Sequence, residues 1–77
     1  MENKQVRPLS MVKDGETVRL VNINAGRGLN SRLVSMGLVS NVKITVVNNG
    51  RSGPFVISVR DSKMMLGRGI AHKIMVL

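Results

Sequence analysis

Side chains that could carry chemistry are scarce in this chain of 77 residues. It contains no cysteine, one histidine and only four acidic residues. The absence of cysteine excludes disulfides, thiolate metal sites and thiol nucleophiles. General acid–base catalysis and metal binding rely mostly on histidine and carboxylates, so few groups remain for either. Because no set of nucleophile, base and orienting residue can be assembled, we predict that the protein is not an enzyme.

His72 is the one histidine, and it is the metal-binding candidate of the sequence. It has no His, Cys or carboxylate neighbour at a spacing typical of metal ligands, since the nearest acidic residue in the sequence is Asp61. A site assembled in three dimensions from His72, Asp61, Glu16 or methionine side chains remains open. Thioethers suit soft metals and suit Fe(II) poorly, so the six methionines are more typical of adaptable packing or contact groups. We predict no bound cofactor.

Two glycine-rich segments could place backbone amides against a ligand. Gly26-Arg27-Gly28 follows a predicted strand and opens a predicted helix, as a dinucleotide-binding loop does. However, Ser31 replaces the third glycine of that motif, and the chain is too short for the usual βαβ unit. We interpret this segment as flexible backbone, with an anion held beside Arg27 as the alternative. Gly67-Arg68-Gly69 is interpreted as backbone geometry near a barrel corner.

The strongest compositional feature is charge. Twelve Lys and Arg residues face four Asp and Glu residues, a net charge of +8, and they are dispersed along the chain without a dense run. Such a positive field attracts an acidic partner, which could be nucleic acid or an acidic protein surface. Phe55 is the only aromatic residue. Modules that stack bases or bind proline-rich peptides use aromatic surfaces, so the composition favours a protein partner and leaves nucleic acid as an alternative.

The length allows one small domain. Residues 1–8 are polar and end at Pro8, which predicts a flexible lead-in before a single domain at 9–77. The apolar runs are far shorter than the roughly 20 residues of a membrane helix, and the N-terminus lacks the apolar core of a signal peptide. We therefore predict a cytoplasmic protein.

One short helix interrupts a strand-rich pattern. Leu29, Leu33 and Met36 are spaced on one helical face, which predicts a helix over residues 29–36 with that face buried. Gly37 would end the helix as a left-handed cap, and Leu38 would then contact Leu33, as in a Schellman motif.

Alternating apolar residues predict the strands. Residues 16–24 are typical of a strand with a bulge or one that is apolar on both faces, residues 48–54 of a hairpin loop, and residues 67–71 of a tight or 3₁₀ turn. About five short strands and one helix predict a mainly β fold, a small bent barrel. The predicted interior residues are Val18, Leu20, Val42, Ile44, Val46, Phe55, Ile57, Val59, Ile74 and Val76.

The same alternation leaves apolar residues on the opposite face of the sheet. They are Val21, Val47, Val56 and Met75. Either residues 9–12 or the helix cover them, or they form a partner-binding patch rimmed by Lys and Arg.

The order and spacing of several segments resemble the FeoA family of ferrous iron transport accessory proteins. The resemblance covers roughly residues 9–77, and Ser40-Asn41 departs from it because the family commonly has Pro-Gly there. The segments that carry the resemblance are Leu9 followed by Asp14-Gly15, then residues 32–38 (RLVSMGL), 42–46 (VKITV), 53–59 (GPFVISV) and 66–76 (LGRGIAHKIMV).

The resemblance implies an SH3-like β-barrel and a cytoplasmic role beside FeoB, a membrane permease with a cytosolic GTP-binding domain. Related domains lie at the C-termini of metal-dependent repressors, which makes a transition-metal-responsive domain a further alternative. Our leading hypothesis is a non-enzymatic module that docks on the cytosolic part of a FeoB-type ferrous iron permease. We place the contacts on the helix and neighbouring turns, where exposed charge lies beside apolar positions: Arg27, Arg32, Leu38, Arg68 and Met75.

Overall fold

The computed structural model describes residues 5–50 and 53–77. Within these ranges, six strands form one antiparallel sheet in the order β1-β6-β2-β3-β4-β5. The predicted mainly β fold is confirmed, with a sixth strand and a second helix added. In chain order the elements are β1 (Arg7–Pro8), a 3₁₀ turn (Leu9–Met11), β2 (Thr17–Ile23), α1 (Arg27–Ser35), β3 (Lys43–Asn48), β4 (Phe55–Val59), β5 (Ser62–Leu66), α2 (Arg68–Lys73) and β6 (Ile74–Val76).

The sixth strand, β1, lies at the end of the predicted lead-in. Arg7 pairs with Val76 and Pro8 with Met75, so these two residues continue the sheet beside β6. A proline is compatible with this place because an edge strand needs no outward N–H donor. Residues 1–4 of the predicted lead-in lie outside the described residues.

The two helices differ from the predictions in extent. Helix α1 begins at Arg27, before the predicted start, because Gly26 is extended and its carbonyl accepts a hydrogen bond from the Asn30 N–H at 2.9 Å. Helix α2 occupies much of the predicted tight turn and buries Ala71 completely. Glycine disfavours helix, so Gly67 and Gly69 concealed α2 in the sequence. No helix of the described ranges has the length and apolar character needed to span a membrane.

The core is formed by the side chains that the strand pattern placed inside. Every predicted interior residue is buried, and residues from the 3₁₀ turn, α1 and α2 complete the cluster. The register shifts between Leu20 and Asn22 in β2, which agrees with the first of the two predicted alternatives, a strand with a bulge, and again between Val46 and Asn48 in β3. Val21, at the first irregularity, is half-buried, and Val47, at the second, is exposed. Removing the core side chains from water is the main stabilising term of the fold.

Helix α1 ends in the predicted Schellman motif. The Leu38 N–H donates to the Leu33 carbonyl and the Gly37 N–H to the Val34 carbonyl, both at 3.0 Å. Gly37 has a φ of 102°, a conformation that a Cβ atom disfavours. This cap turns the chain so that Leu38 returns to the core.

We expect Gly37→Ala to lower the free energy of unfolding by about 1–2 kcal/mol, because alanine must adopt a positive φ. Urea denaturation followed by circular dichroism measures the change. Gly28→Ala is the matched control, since Gly28 lies inside α1 without positive φ and with open space around its Cβ position. Equal stability of Gly37→Ala and the parent protein would contradict the assigned role of the cap.

Candidate partner-binding surface

The exposed side of α1 combines cationic and apolar side chains. Helical spacing puts Arg27 and Val34 at one edge of this exposed side and Arg32 and Met36 at the other edge. Val34 is 45% exposed and Met36 46% exposed, and both arginines are exposed as well. We call these four residues the α1 face. Leu33, on the opposite side, is buried in the core and attaches the helix to the barrel.

The arginines of the α1 face lack an acidic partner within the described residues. The one ion pair in those ranges joins Arg7 and Glu16, far from α1 in the sequence, and no described hydrogen bond involves the guanidinium group of Arg27 or Arg32. Arginine and methionine are enriched at protein–protein interfaces, where apolar surface and a charged rim occur together. The α1 face can therefore bind a surface that offers carboxylates beside apolar groups.

Two side chains next to the cap differ from the predictions in whether they are buried or exposed. Leu38, predicted as a partner contact, is completely buried, and the structure removes it from the set of possible contacts. Met36, predicted on the buried side of the helix, is exposed instead. The reason is the chain reversal at Gly37, which brings Leu38 to the place against Leu33 that Met36 would otherwise fill.

Arg68 makes contacts within the domain that connect two of its elements. Its guanidinium donates hydrogen bonds to the carbonyl oxygen of Asn49 and, at 3.0 Å, to the Oδ1 atom of Asn49. Its Cζ atom lies 5.9 Å from the centroid of the Phe55 ring, within the range of a cation–π contact. Arg68 thus ties α2 to the β3–β4 connection, and its predicted role as a partner contact has no support from these interactions.

Met75 lies on β6 and is half-buried. It pairs with Pro8 of β1 and Asn22 of β2, so its own strand is flanked on both sides. The structure therefore brings together Arg27 and Arg32 on α1, whereas Met75 lies on another element. The sequence did not identify Val34 and Met36 as surface residues. On a short helix, the spacing of apolar residues does not show where the buried side of the helix ends.

Comparison with known proteins identifies the chain. The sequence model of the FeoA domain family matches residues 7–77. This chain belongs to the FeoA family. A proposed Fe(2+) transport protein A of Methanocaldococcus jannaschii is 46% identical over 69 residues, which cover 90% of this chain and 83% of that protein.

Solved structures of the FeoA family share the fold. A crystal structure of the iron uptake regulatory protein FeoA has a TM-score of 0.85 and 36% identity, covering 96% of this chain and 97% of that chain. FeoA of Stenotrophomonas maltophilia, crystallised with zinc and described as a prokaryotic SH3 domain protein, has a TM-score of 0.79 and 20% identity, covering 91% of this chain and 88% of that chain. The barrel of this chain is therefore SH3-like, as the resemblance implied.

His72 of this FeoA-family chain contacts a hydroxyl. Its Nδ1 atom lies 3.2 Å from the Oγ atom of Ser10, and the imidazole is otherwise exposed on α2. Within residues 5–50 and 53–77, His, Asp and Glu side chains form no group of three that could hold a metal ion.

A shallow pocket of about 280 Å³ opens beside β1 and β2 of the FeoA domain. Its polar wall is the ion pair of Arg7 and Glu16. The hydrogen bond from Arg7, followed by that from the backbone N–H of Lys13, lowers the pKa of Glu16 from its ordinary value. Both side chains are therefore ionised at neutral pH, and their opposite charges offset each other. The pocket is lined by Gln5, Arg7, Glu16, Thr17, Val18 and Leu77.

Proposed function

We propose that this protein is a non-enzymatic, cytoplasmic accessory protein of ferrous iron uptake. In this role it docks on the cytosolic GTP-binding part of a FeoB-type permease. Membership of the FeoA family over residues 7–77 and the 46% identical relative named for Fe(2+) transport support the link to iron uptake. The near absence of acid–base groups in the sequence supports a binding role over a catalytic one.

The α1 face is the observation that carries the docking proposal. Arg27 and Arg32 supply positive charge without an acidic partner in the described ranges, and Val34 and Met36 supply apolar surface at the two edges of the same exposed side. Charge complementarity speeds association and orients the partner, while desolvated apolar contacts slow dissociation. A partner surface with carboxylates around an apolar depression satisfies both requirements.

Calorimetric titration of the full chain with the cytosolic domain of the FeoB-type permease tests the proposal. We expect saturable binding at low salt that weakens at moderate salt, because surface charges are screened within about 8–10 Å. Binding that is absent at low salt would overturn the docking proposal.

Nucleic acid is the second candidate, because the net charge of +8 supplies the required positive field. The same titration with double-stranded DNA and single-stranded RNA separates the two functions. A protein that neutralises several phosphates loses affinity steeply on a log–log plot against salt, with a slope of about −0.9 per phosphate contact on duplex DNA. Tight binding to nucleic acid with such a slope, and none to the permease domain, would favour the second candidate.

A further inference from the structure

The outward side of strands β2 to β5 is a second surface with an ordered arrangement of side chains. The strand register aligns Thr17, Thr45, Ser58 and Lys63 in one row across the four strands. The Oγ1 atoms of Thr17 and Thr45 lie 2.9 Å apart, a hydrogen bond that joins β2 to β3 at one end of this row. We call this surface the outer sheet face.

One end of the outer sheet face is apolar. Val56 pairs with Met65 across β4 and β5 and with Asn48 across β4 and β3, and Val47 lies beside Asn48 where the register of β3 shifts. Met65 is 69% exposed and Val47 41% exposed, while Val56 is half-buried. An apolar strip therefore crosses three neighbouring strands and ends at Met65 on β5.

The other end of the outer sheet face is cationic. Lys63 ends the central row, Lys43 lies two residues before Thr45 on β3, and Arg60 lies in the turn that joins β4 to β5. None of these three cations takes part in an ion pair within the described ranges. Asp61, in the same turn as Arg60, is the nearby carboxylate in the sequence. Because cations outnumber carboxylates here, the surface favours an acidic partner.

Strand β5 has a free edge with hydrogen-bonding groups. Within residues 5–50 and 53–77 it pairs only with β4, and a two-residue loop, Arg60–Asp61, connects the pair with φ angles of 49° and 67°. Such a loop is closed by a hydrogen-bonded residue pair, here Val59 and Ser62, and bonded and non-bonded pairs then alternate. The N–H and C=O groups of Lys63 and Met65 consequently point away from β4, toward solvent.

We propose that the edge of β5 and the adjoining outer sheet face bind an extended acidic segment of a partner protein as an added strand. The backbone of the segment bonds with Lys63 and Met65, its acidic residues lie toward Lys63 and Arg60, and its apolar residues cover Met65 and Val56. A second copy of this chain is disfavoured as the occupant because each copy carries a net charge of +8. This inference uses no residue of the α1 face and does not depend on the permease as partner.

A fluorescent peptide, Glu-Glu-Glu-Val-Val-Thr-Val, together with its reversed sequence, tests the inference by anisotropy titration. The reversed sequence allows for either direction of the added strand. We expect one of the two peptides to bind, and the matching peptide with lysine in place of glutamate not to bind. Met65→Pro is expected to weaken binding at least tenfold, about 1.4 kcal/mol, because it removes the outward N–H without removing a bond to β4.

Two further variants separate the strand edge from general charge attraction. Lys43→Glu with Lys63→Glu is expected to weaken binding of the acidic peptide about tenfold or more. Arg27→Glu with Arg32→Glu makes the same change in net charge on α1 and is expected to leave the affinity within about threefold. If Met65→Pro does not fold, amide hydrogen exchange of the parent protein replaces it, with Lys63 and Met65 expected to become protected on peptide binding.

Three results would overturn the inference. The first is the absence of binding to both acidic peptides. The second is equal binding to the parent protein and to folded Met65→Pro, or unchanged exchange at Lys63 and Met65 in the complex, because either result shows that no strand is added. The third is that neither peptide binds, whereas vesicles of anionic phosphatidylglycerol bind the parent protein and do not bind Lys43→Glu with Lys63→Glu. That result would assign the surface to a membrane instead.

Discussion

Leu38→Ala is expected to lower the free energy of unfolding by about 2–5 kcal/mol, the range for truncating a fully buried leucine. Leu38 has no exposed surface and belongs to the core cluster with Leu33. The substitution removes its side chain from the point where the cap of α1 joins the barrel. Urea denaturation measures the loss, which for a domain of this size is a large share of a total stability of roughly 5–15 kcal/mol.

Val34→Ala is the matched control for Leu38→Ala. Val34 is an aliphatic residue of the same helix region, but it is 45% exposed, so we expect a change of about 0.5 kcal/mol or less. In the binding experiment we expect the larger effect from the other substitution. Val34→Ala should weaken docking on the permease domain, and folded Leu38→Ala should retain it. A stable Leu38→Ala variant that fails to bind would return Leu38 to the set of contact residues.

Reversing both charges of the α1 face is expected to weaken binding to the permease domain roughly 10- to 100-fold, about 1.4–2.7 kcal/mol. In Arg27→Glu with Arg32→Glu, two cations that complement the partner become anions that repel it. Both side chains are exposed, so stability should change little. Calorimetric titration at low salt measures the affinity, and thermal unfolding checks the fold.

Lys43→Glu with Lys63→Glu controls for the change in net charge. It removes the same amount of positive charge from the outer sheet face and should weaken docking by no more than about threefold, since charges beyond a Debye length are screened. An equal loss of affinity in the two double variants would show that the net charge, and not the α1 face, determines binding.

The barrel interior could be predicted because side chains in a strand alternate with a period of two. Val46 and Ile57 were placed inside from this alternation alone, and both are completely buried as a cross-strand pair. A register shift by one residue would expose such side chains to water, so the pattern strongly constrains the pairing. The same argument placed Val47 and Val56 on the outer side, where the structure has them.

The surface could be predicted only in part, because it depends on chain reversals. Met36 satisfied the helical spacing of a buried residue, yet the turn at Gly37 brings Leu38 into that place. Arg68 was an exposed cation in the sequence, but the fold sets it against Asn49 and Phe55, which are distant along the chain. Helix α2 was missed because Gly69 inside it and Gly67 before it have low helix propensity, whereas the burial of Ala71 that favours the helix depends on tertiary packing.

The most direct test of the docking account is chemical-shift mapping of the isotope-labelled full chain during titration with the cytosolic domain of the permease. We predict that the largest amide shift changes fall on α1 and its cap, residues 27–38. No shift changes at low salt, or changes confined to β3, β4 and β5, would contradict docking through the α1 face.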